Sequence, residues 1–229
     1  LPVYKKLVDL LLKIQKVRPQ KKVRAMANKV HSINRYSTRY LHEESDLFFD
    51  WYLSLFLNQK KVLRIKKNMK KILSKLYSKL NFPNSYFVHR DYHVLNLMKV
   101  GNRIGVIDCQ DALIGNPAYD LASLIDDVRI KTSKKLKDKI YNYYLTKTFK
   151  IHKFNKKNFL QDYNILSIQR NLKIIGIFSR LFTRDKKEKY LKFIPYVWQL
   201  LEIRMNSDIF SELKKILDNN IPKKFRRKI

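Results

Sequence analysis

The chain has 229 residues, 45% of them hydrophobic, so it can bury a sizeable core and is not a disordered polymer. No apolar run reaches the roughly 20 residues that span a bilayer, and a single cysteine, Cys109, excludes an internal disulfide. The formal net charge of +31 excludes an acidic protein surface. A lone cysteine suits a reducing compartment, so we expect a cytoplasmic protein with Cys109 packed as a small apolar core residue.

The positive charge has two interpretations. One is a polyanion partner, such as nucleic acid or anionic lipid. The other is a solvated lysine-rich surface, which is favoured because the lysines are dispersed along the whole chain. The densest basic cluster, PKKFRRKI at residues 222–229, is predicted to be a frayed tail.

Helical patterns dominate the first 80 residues. The opening helix is amphipathic, with one apolar face formed by Leu7, Leu10, Leu11 and Ile14. Residues 23–40 are ambiguous, whereas residues 43–57 and 62–80 carry apolar side chains at helical spacing. The second of these helices is predicted to break at Asn81.

The pattern then changes to short extended segments. Strands are predicted at residues 86–89, 97–100 and 103–107. Gly101 and Asn102 join the last two, because both tolerate the positive φ of a tight turn. Residues 114–117 read as a loop, and the next helix is predicted to begin at or near Asp120. Long helical patterns return at residues 134–149, 157–182, 187–205 and 208–217. We therefore predict an α+β fold, with one mostly helical body and a small β insert.

The insert contains the pattern H-x-D-x-H-x-x-N, followed after the predicted hairpin by Asp108. Phosphoryl transfer to a hydroxyl needs a carboxylate that accepts the hydroxyl proton, and Asp91 is the candidate base. It also needs oxygen ligands for Mg²⁺ on the ATP phosphates, and Asn96 and Asp108 are the candidates. A zinc site would need more His or Cys than this chain offers.

Three further residues have predicted supporting roles. His89 is expected to hold the loop by hydrogen bonds to backbone carbonyls. His93 is placed either to reach the transferred phosphate or to brace the loop. Asp120 is either the N-cap of the following helix or a buried acceptor for backbone N–H groups of the loop.

The segments HRDYHVLNLM and VIDCQDALIGNPAYDLASLIDD resemble the aminoglycoside-phosphotransferase and choline-kinase superfamily of small-molecule kinases. EESDLFFDWYL and IQRNLKIIGIFSRL make the chain most similar to the bacterial kinases of cell-wall recycling that phosphorylate N-acetylmuramate or N-acetylglucosamine at the anomeric hydroxyl. The resemblance implies Asp91 as base, Asn96 and Asp108 as Mg²⁺ ligands, and Asp120 as a structural residue. ATP is the implied phosphoryl donor and a sugar the implied acceptor.

The same resemblance makes Glu44, Asp46 and Arg170 candidate acceptor-binding residues, with ordinary charge pairing between helices as the alternative. It also implies a protein-kinase-like C-terminal lobe that covers residues 1–229 as one domain. The N-terminal β lobe of such kinases is expected to be missing, because no glycine precedes Gly101 and no β-rich segment precedes the first helix. Cys109 departs from the family pattern, which has an aromatic residue after the metal-binding Asp.

Other functions stay open at this point. The chain is alternatively a kinase for aminoglycoside, choline or protein acceptors, although Asp-Cys-Gln replaces the Asp-Phe-Gly of protein kinases. In a different class, it is a basic nucleic-acid- or membrane-binding module on a kinase-like scaffold, whose binding would weaken steeply with salt.

Overall fold

The computed structural model describes residues 1–24, 29–149 and 155–227. The fold is mostly helical with three small antiparallel sheets among the described residues. The chain divides into two compact units. Unit 1 comprises Leu1–Ser37 and Asn81–Tyr163, and unit 2 comprises Thr38–Leu80 and Asn164–Ile229.

Unit 1 carries all six strands of the described residues. Its helices are α1 (Pro2–Lys16), α4 (Ala118–Ile125) and α5 (Lys134–Phe149), and the first turns of α6 (Lys156–Thr183) also belong to it. Its strands are β1 (Lys22–Arg24), β2 (Val30–Ser32), β3 (Tyr86–Val88), β4 (Leu97–Val100), β5 (Arg103–Val106) and β6 (Leu113–Gly115). They pair as β1 with β2, β3 with β6 and β4 with β5, each pair antiparallel.

Unit 2 is helical in its described residues. It contains α2 (Thr38–Leu47), α3 (Gln59–Tyr77), most of α6, α7 (Ile194–Arg204), α8 (Ser211–Asn220) and α9 (Lys223–Arg227). A π-helical turn (Phe48–Tyr52) and a 3₁₀ turn (Leu53–Leu55) continue from α2. Two more 3₁₀ segments, Glu188–Phe193 and Asp208–Phe210, precede α7 and α8.

Helix α4 forms the centre of unit 1, since all eight of its residues are buried. Around it, α1 contributes fully buried Val8 and Leu11. Two tyrosine hydroxyls hold α1 in place by hydrogen bonds: Tyr92 Oη donates to Leu7 O at 2.8 Å, and Tyr144 Oη donates to Gln15 Oε1 at 2.7 Å. Burial raises the pKa of both hydroxyls, so they stay protonated as donors.

Unit 2 has an aromatic core. Phe48, Tyr52 and Trp198 are almost fully buried and pack against one another with ring centroids 5.2 to 5.9 Å apart. Trp198 Nε1 donates to Tyr52 Oη at 3.0 Å, and that hydroxyl donates to Phe225 O at 2.7 Å. The chain's C-terminal helix α9 is therefore fixed to this core.

A glycine sets how closely two helices of unit 2 approach. A Cβ built at Gly176 in α6 would lie 2.5 Å from Leu47 O and 2.6 Å from Phe48 N. Real Cβ contacts are longer than this, so only glycine permits the approach of the two backbones. The π-helical turn begins at Phe48, at the same contact.

Several predicted elements are confirmed, and others are wrong. The structure confirms α5 with the predicted bounds and the β4–β5 hairpin, whose Gly101 has a φ of 56°. The predicted loop at residues 114–117 is wrong for Ile114 and Gly115, because Leu113–Gly115 forms β6 and pairs with β3, and it is confirmed at residues 116–117. The predicted helix over residues 43–57 is confirmed as helical up to Leu55, but only its part up to Leu47 is α-helical, and a π-helical and a 3₁₀ turn continue it.

Two further predictions, one for Cys109 and one for the basic tail, are wrong. Cys109 is exposed rather than packed in the core, because it lies in the turn that follows β5. The predicted frayed tail contains α9, and its Arg226 is only 4% exposed. The buried Arg226 guanidinium donates to Leu217 O and Ile221 O and pairs with the Glu202 carboxylate.

No helix within the described ranges is both long enough and apolar enough to cross a membrane.

Candidate active site

The catalytic loop, residues 89–96, connects β3 to β4 in unit 1. Its first residues are held by Asp120, which is fully buried. Asp120 Oδ2 accepts a hydrogen bond from His89 N at 2.7 Å, and Oδ1 accepts one from Arg90 N at 3.0 Å. Asp120 lies inside the first turn of α4, and the N-cap position belongs to Pro117, so the alternative role as N-cap is wrong.

The second half of the loop folds back onto Asp91. Asn96 Nδ2 donates to Asp91 O at 3.0 Å, and His93 N donates to the same oxygen at 2.9 Å. Asn96 N in turn donates to His93 O at 2.9 Å, which closes the 3₁₀ turn Val94–Asn96. Because the amide nitrogen of Asn96 is engaged, its Oδ1 is the atom that could bind a metal.

Two hydrogen bonds join this loop to the end of β5. Ile107 N donates to Asn96 O at 3.0 Å, and Ile107 O lies 2.9 Å from His89 Nε2. A carbonyl accepts only, so this contact places the proton of His89 on Nε2. Asp108 follows Ile107 directly, and Asn96 Nδ2 donates to Asp91 O, so the backbones of Asp91, Asn96 and Asp108 form one cluster.

Asp108 is exposed and has a φ of 68°. Its Oδ1 accepts a hydrogen bond from Gln110 Nε2 at 2.6 Å. Arg90, with a φ of 72°, donates from Nη1 to Asp111 O at 3.0 Å and lies over the Tyr36 ring at 5.8 Å. Arg90 thus fixes the segment after Asp108 to the start of the catalytic loop.

The β4–β5 hairpin presents an exposed apolar face beside this cluster. Met98 and Val100 on β4 are 48% and 64% exposed, and Ile107 after β5 is 49% exposed. Met98 pairs with Gly105, which adds no side chain to that face. Alternation along a strand places these residues on one side and Leu97 on the other.

The chemistry of the donors fits magnesium better than zinc. Within the part of the chain that the structure describes, no three His, Cys, Asp or Glu side chains form a group that could hold a metal ion. Asn96 and Asp108 offer one neutral and one charged oxygen. Mg²⁺ is commonly bound by few protein oxygens, with phosphates and water completing its coordination, so this pair suffices for it.

The three predicted acceptor-binding residues lie in unit 2. Buried Glu44 accepts hydrogen bonds from Lys173 Nζ at 2.8 Å and Gln169 Nε2 at 2.9 Å. Asp46 pairs with Lys70 at 2.9 Å. These pairs match the alternative of charge pairing between helices, and a role in acceptor binding stays a prediction.

Arg170 is only 3% exposed, and its Nη1 has no hydrogen-bond partner among the described residues, which is also true of Asp46 Oδ1. A buried guanidinium donor of this kind is suited to an anionic or carbonyl group of a ligand. Its assignment to the acceptor also remains a prediction.

Sequence reasoning missed Asp127. This residue is only 2% exposed and follows α4, and its Oδ2 accepts a hydrogen bond from Val94 N at 3.0 Å. The available signal was an Asp-Asp pair directly after the apolar run Leu121–Ile125. A carboxylate at the end of a buried helix needs a donor, and a neighbouring loop is the usual source.

Comparison with known proteins gives a family match over residues 3–154, to the model of the phosphotransferase enzyme family (APH). An N-acetylmuramate/N-acetylglucosamine kinase of Caulobacter vibrioides is 29% identical over 231 residues, covering 99% of this chain and 62% of that protein. A protein of the same name from Pseudomonas aeruginosa is 33% identical over 73% of this chain and 50% of its own length. One from Neisseria meningitidis is 31% identical over 70% of this chain and 49% of its own length. The chain thus spans one half to about three fifths of these relatives.

Proposed function

The chain belongs to the phosphotransferase enzyme family, and we propose that it carries the catalytic centre of an ATP-dependent sugar kinase. The reaction would transfer the γ-phosphoryl group to a hydroxyl, the anomeric one, of N-acetylmuramate or N-acetylglucosamine. The names of the relatives support the sugar class. The chain spans 62% of the length of the Caulobacter relative, so the kinase activity of the whole protein is itself a proposal.

The proposal is supported by the hydrogen bonds that join the backbones at Asp91, Asn96 and Ile107, the residue before Asp108. Asp91 would accept the proton of the sugar hydroxyl as its oxygen bonds to phosphorus. The loop that holds Asp91 is fixed before substrate arrives, since the backbone oxygen of Asp91 accepts hydrogen bonds from both His93 N and Asn96 Nδ2. Such preorganisation lowers the barrier because no loop ordering is needed during the reaction.

Asn96 Oδ1 and the Asp108 carboxylate would hold Mg²⁺. When bound, the ion would neutralise charge on the ATP phosphates. His89 orients the loop through its bond to Ile107 O. We assign His93 to the same loop, where it is either a brace or a contact of the transferred phosphate.

The exposed apolar face of the β4–β5 hairpin would support the base of ATP. A nucleotide base needs an apolar surface close to the groups that bind its phosphates. Met98, Val100 and Ile107 form such a surface, and Ile107 directly precedes Asp108. Base and phosphates of one molecule would therefore contact adjacent parts of unit 1.

We assign the chain to a protein-kinase-like C-terminal lobe, and we place it in the cytoplasm, where ATP is available. The free thiol of Cys109 is compatible with that reducing compartment.

The test uses the full-length protein with ATP, Mg²⁺ and a panel of sugars, aminoglycosides and choline, with ADP release and ³¹P NMR of the product as readouts. We expect a sugar 1-phosphate from the wild type. Asp91→Asn should lower kcat at least about 100-fold, because a proton acceptor is worth 10²- to 10⁴-fold. The matched control is Asp138→Asn, the same chemical change at an exposed position of α5. Sugar-dependent ADP release that survives Asp91→Asn would refute the proposal.

A further inference from the structure

We propose that Asp127 is a positioning residue for the metal-binding end of the catalytic loop. It fixes the turn Val94–Asn96 and thereby the direction of Asn96 Oδ1. The inference rests on the proposed kinase function. It adds a residue outside the motif H-x-D-x-H-x-x-N to the machinery.

Asp127 contacts the first residue of the turn Val94–Asn96 directly. Val94 begins a 3₁₀ turn, and the first N–H of such a turn has no partner within it. The Asp127 carboxylate supplies that partner at 3.0 Å. A partly buried N–H without an acceptor is unfavourable, so the bond to Asp127 stabilises the turn.

Asn96, the last residue of the turn, is held by three hydrogen bonds. Its backbone N donates to His93 O, its side-chain nitrogen donates to Asp91 O, and its backbone oxygen accepts from Ile107 N. These bonds fix Asn96 relative to the loop, and the bond of Val94 N to Asp127 joins this turn to the segment that follows α4. Asp127 therefore determines where Asn96 Oδ1 lies relative to the rigid centre of unit 1.

The start of the catalytic loop is held by a second carboxylate, that of Asp120. Asp120 binds His89 N and Arg90 N, and Asp127 binds Val94 N. The two carboxylates are about two helical turns apart along α4 and its C-terminal end. Every residue of α4 is buried, so the helix cannot shift without disturbing the core. Helix α4 and the segment directly after it thus hold the loop on both sides of Asp91.

The charge of Asp127 is compensated locally. Its Oδ1 accepts a hydrogen bond from Arg129 N at 3.0 Å and lies 3.4 Å from Arg129 Nη1. An asparagine has only one acceptor oxygen, so it can serve Val94 or Arg129 but not both. Asp127→Asn is therefore a graded perturbation, and Asp127→Ala removes both acceptors.

The first test measures hydrogen exchange by NMR in the absence of nucleotide and metal. We expect the Val94 N–H to exchange at least about tenfold faster in Asp127→Ala, and less so in Asp127→Asn. The control is Asp162→Asn, because Asp162 is also buried but accepts from Asn81 N and Phe82 N. It should speed exchange at residues 81 and 82 and leave Val94 unchanged. Unchanged exchange at Val94 in both Asp127 variants overturns the inference.

The second test follows the rate of the full-length enzyme against Mg²⁺ concentration. Loss of a group that orients a metal ligand typically costs 10- to 100-fold in metal affinity or activity. We therefore expect the Mg²⁺ concentration for half-maximal rate to rise about tenfold in Asp127→Ala, with the KM for sugar within about twofold of wild type. Asp162→Asn should keep the wild-type Mg²⁺ dependence, because a general loss of stability does not change it.

The outcomes separate the two proposals. A wild type that phosphorylates none of the acceptors refutes the kinase function, and the exchange result still decides whether Asp127 holds the loop. An active wild type with unchanged Mg²⁺ dependence in folded Asp127 variants overturns the positioning role. If circular dichroism shows that Asp127→Ala is unfolded, Asp127→Asn carries both measurements.

Discussion

Replacing Gly176 by Ala should destabilise unit 2, although alanine is the better helix former. The substitution gains about 1 kcal/mol of helix propensity in α6. Against this, the new Cβ would lie 2.5 Å from Leu47 O and 2.6 Å from Phe48 N. The backbones would have to separate by about 1 Å, because favourable non-bonded contacts of carbon lie near 3.5–4.0 Å.

That separation has a cost that can be estimated. A gap of 0.5–1 Å loses about a quarter to a half of each dispersion contact across it. It would also lengthen the hydrogen bonds of Glu44 to Lys173 and Gln169, which are 2.8 and 2.9 Å long and join the same two helices. Overpacking of this kind costs about 1–3 kcal/mol and sometimes more. Subtracting the gain in propensity from the middle of this range leaves a net destabilisation of about 1 kcal/mol.

The assay is urea denaturation followed by tryptophan fluorescence, since Trp51 and Trp198 both lie in unit 2. The matched control is Asn68→Ala in the exposed middle of α3. It brings the propensity gain without a close neighbour and should raise stability by about half a kcal/mol. A Gly176→Ala protein as stable as wild type would refute the close approach of α6 to Leu47.

Two further predictions concern a buried ion pair and the exposed thiol. Lys173→Met should lower the free energy of unfolding by about 3–5 kcal/mol, because it leaves the buried Glu44 carboxylate without its cation. In the same denaturation assay, the double variant with Glu44→Gln should lose clearly less unfolding free energy than the two single variants together. Labelling Cys109 with a bulky maleimide should lower kinase activity at least about tenfold, and MgATP should slow the labelling, because the thiol is exposed next to Asp108. Cys109→Ser should be active and insensitive to the reagent, and full activity after stoichiometric labelling would contradict the proposed place of the nucleotide.

The sequence predicted best what depends on local pattern. Helix α5 was delimited by apolar spacing alone, and the β4–β5 hairpin by the pair Gly101-Asn102. Strand β6 was missed because it has only three residues and its partner β3 lies far away along the chain. Such pairing depends on tertiary packing, and the Gly-Asn-Pro that follows Ile114 favours a loop locally.

The predicted site was limited in the same way. The residue types and spacing of Asp91, Asn96 and Asp108 predicted their chemistry, and hydrogen bonds of Asn96 to Asp91 O and of Ile107 N to Asn96 O bring their backbones together. Nothing in the local pattern says that the carboxylate of Asp127 binds Val94 N, because that contact arises only when α4 packs under the loop. The exposed position of Cys109 was likewise hidden, since the left-handed backbone of Asp108 before it breaks the strand alternation.

The two left-handed residues of the site bear on any attempt to make the protein more robust. Arg90 and Asp108 occupy a region of backbone space that costs about 1–3 kcal/mol outside glycine. A screen for thermostable variants would therefore favour glycine at both positions. It would enrich proteins that unfold at a higher temperature but have lost the Arg90 guanidinium and the Asp108 carboxylate. Resistance to heat would therefore be a misleading measure of function in this chain.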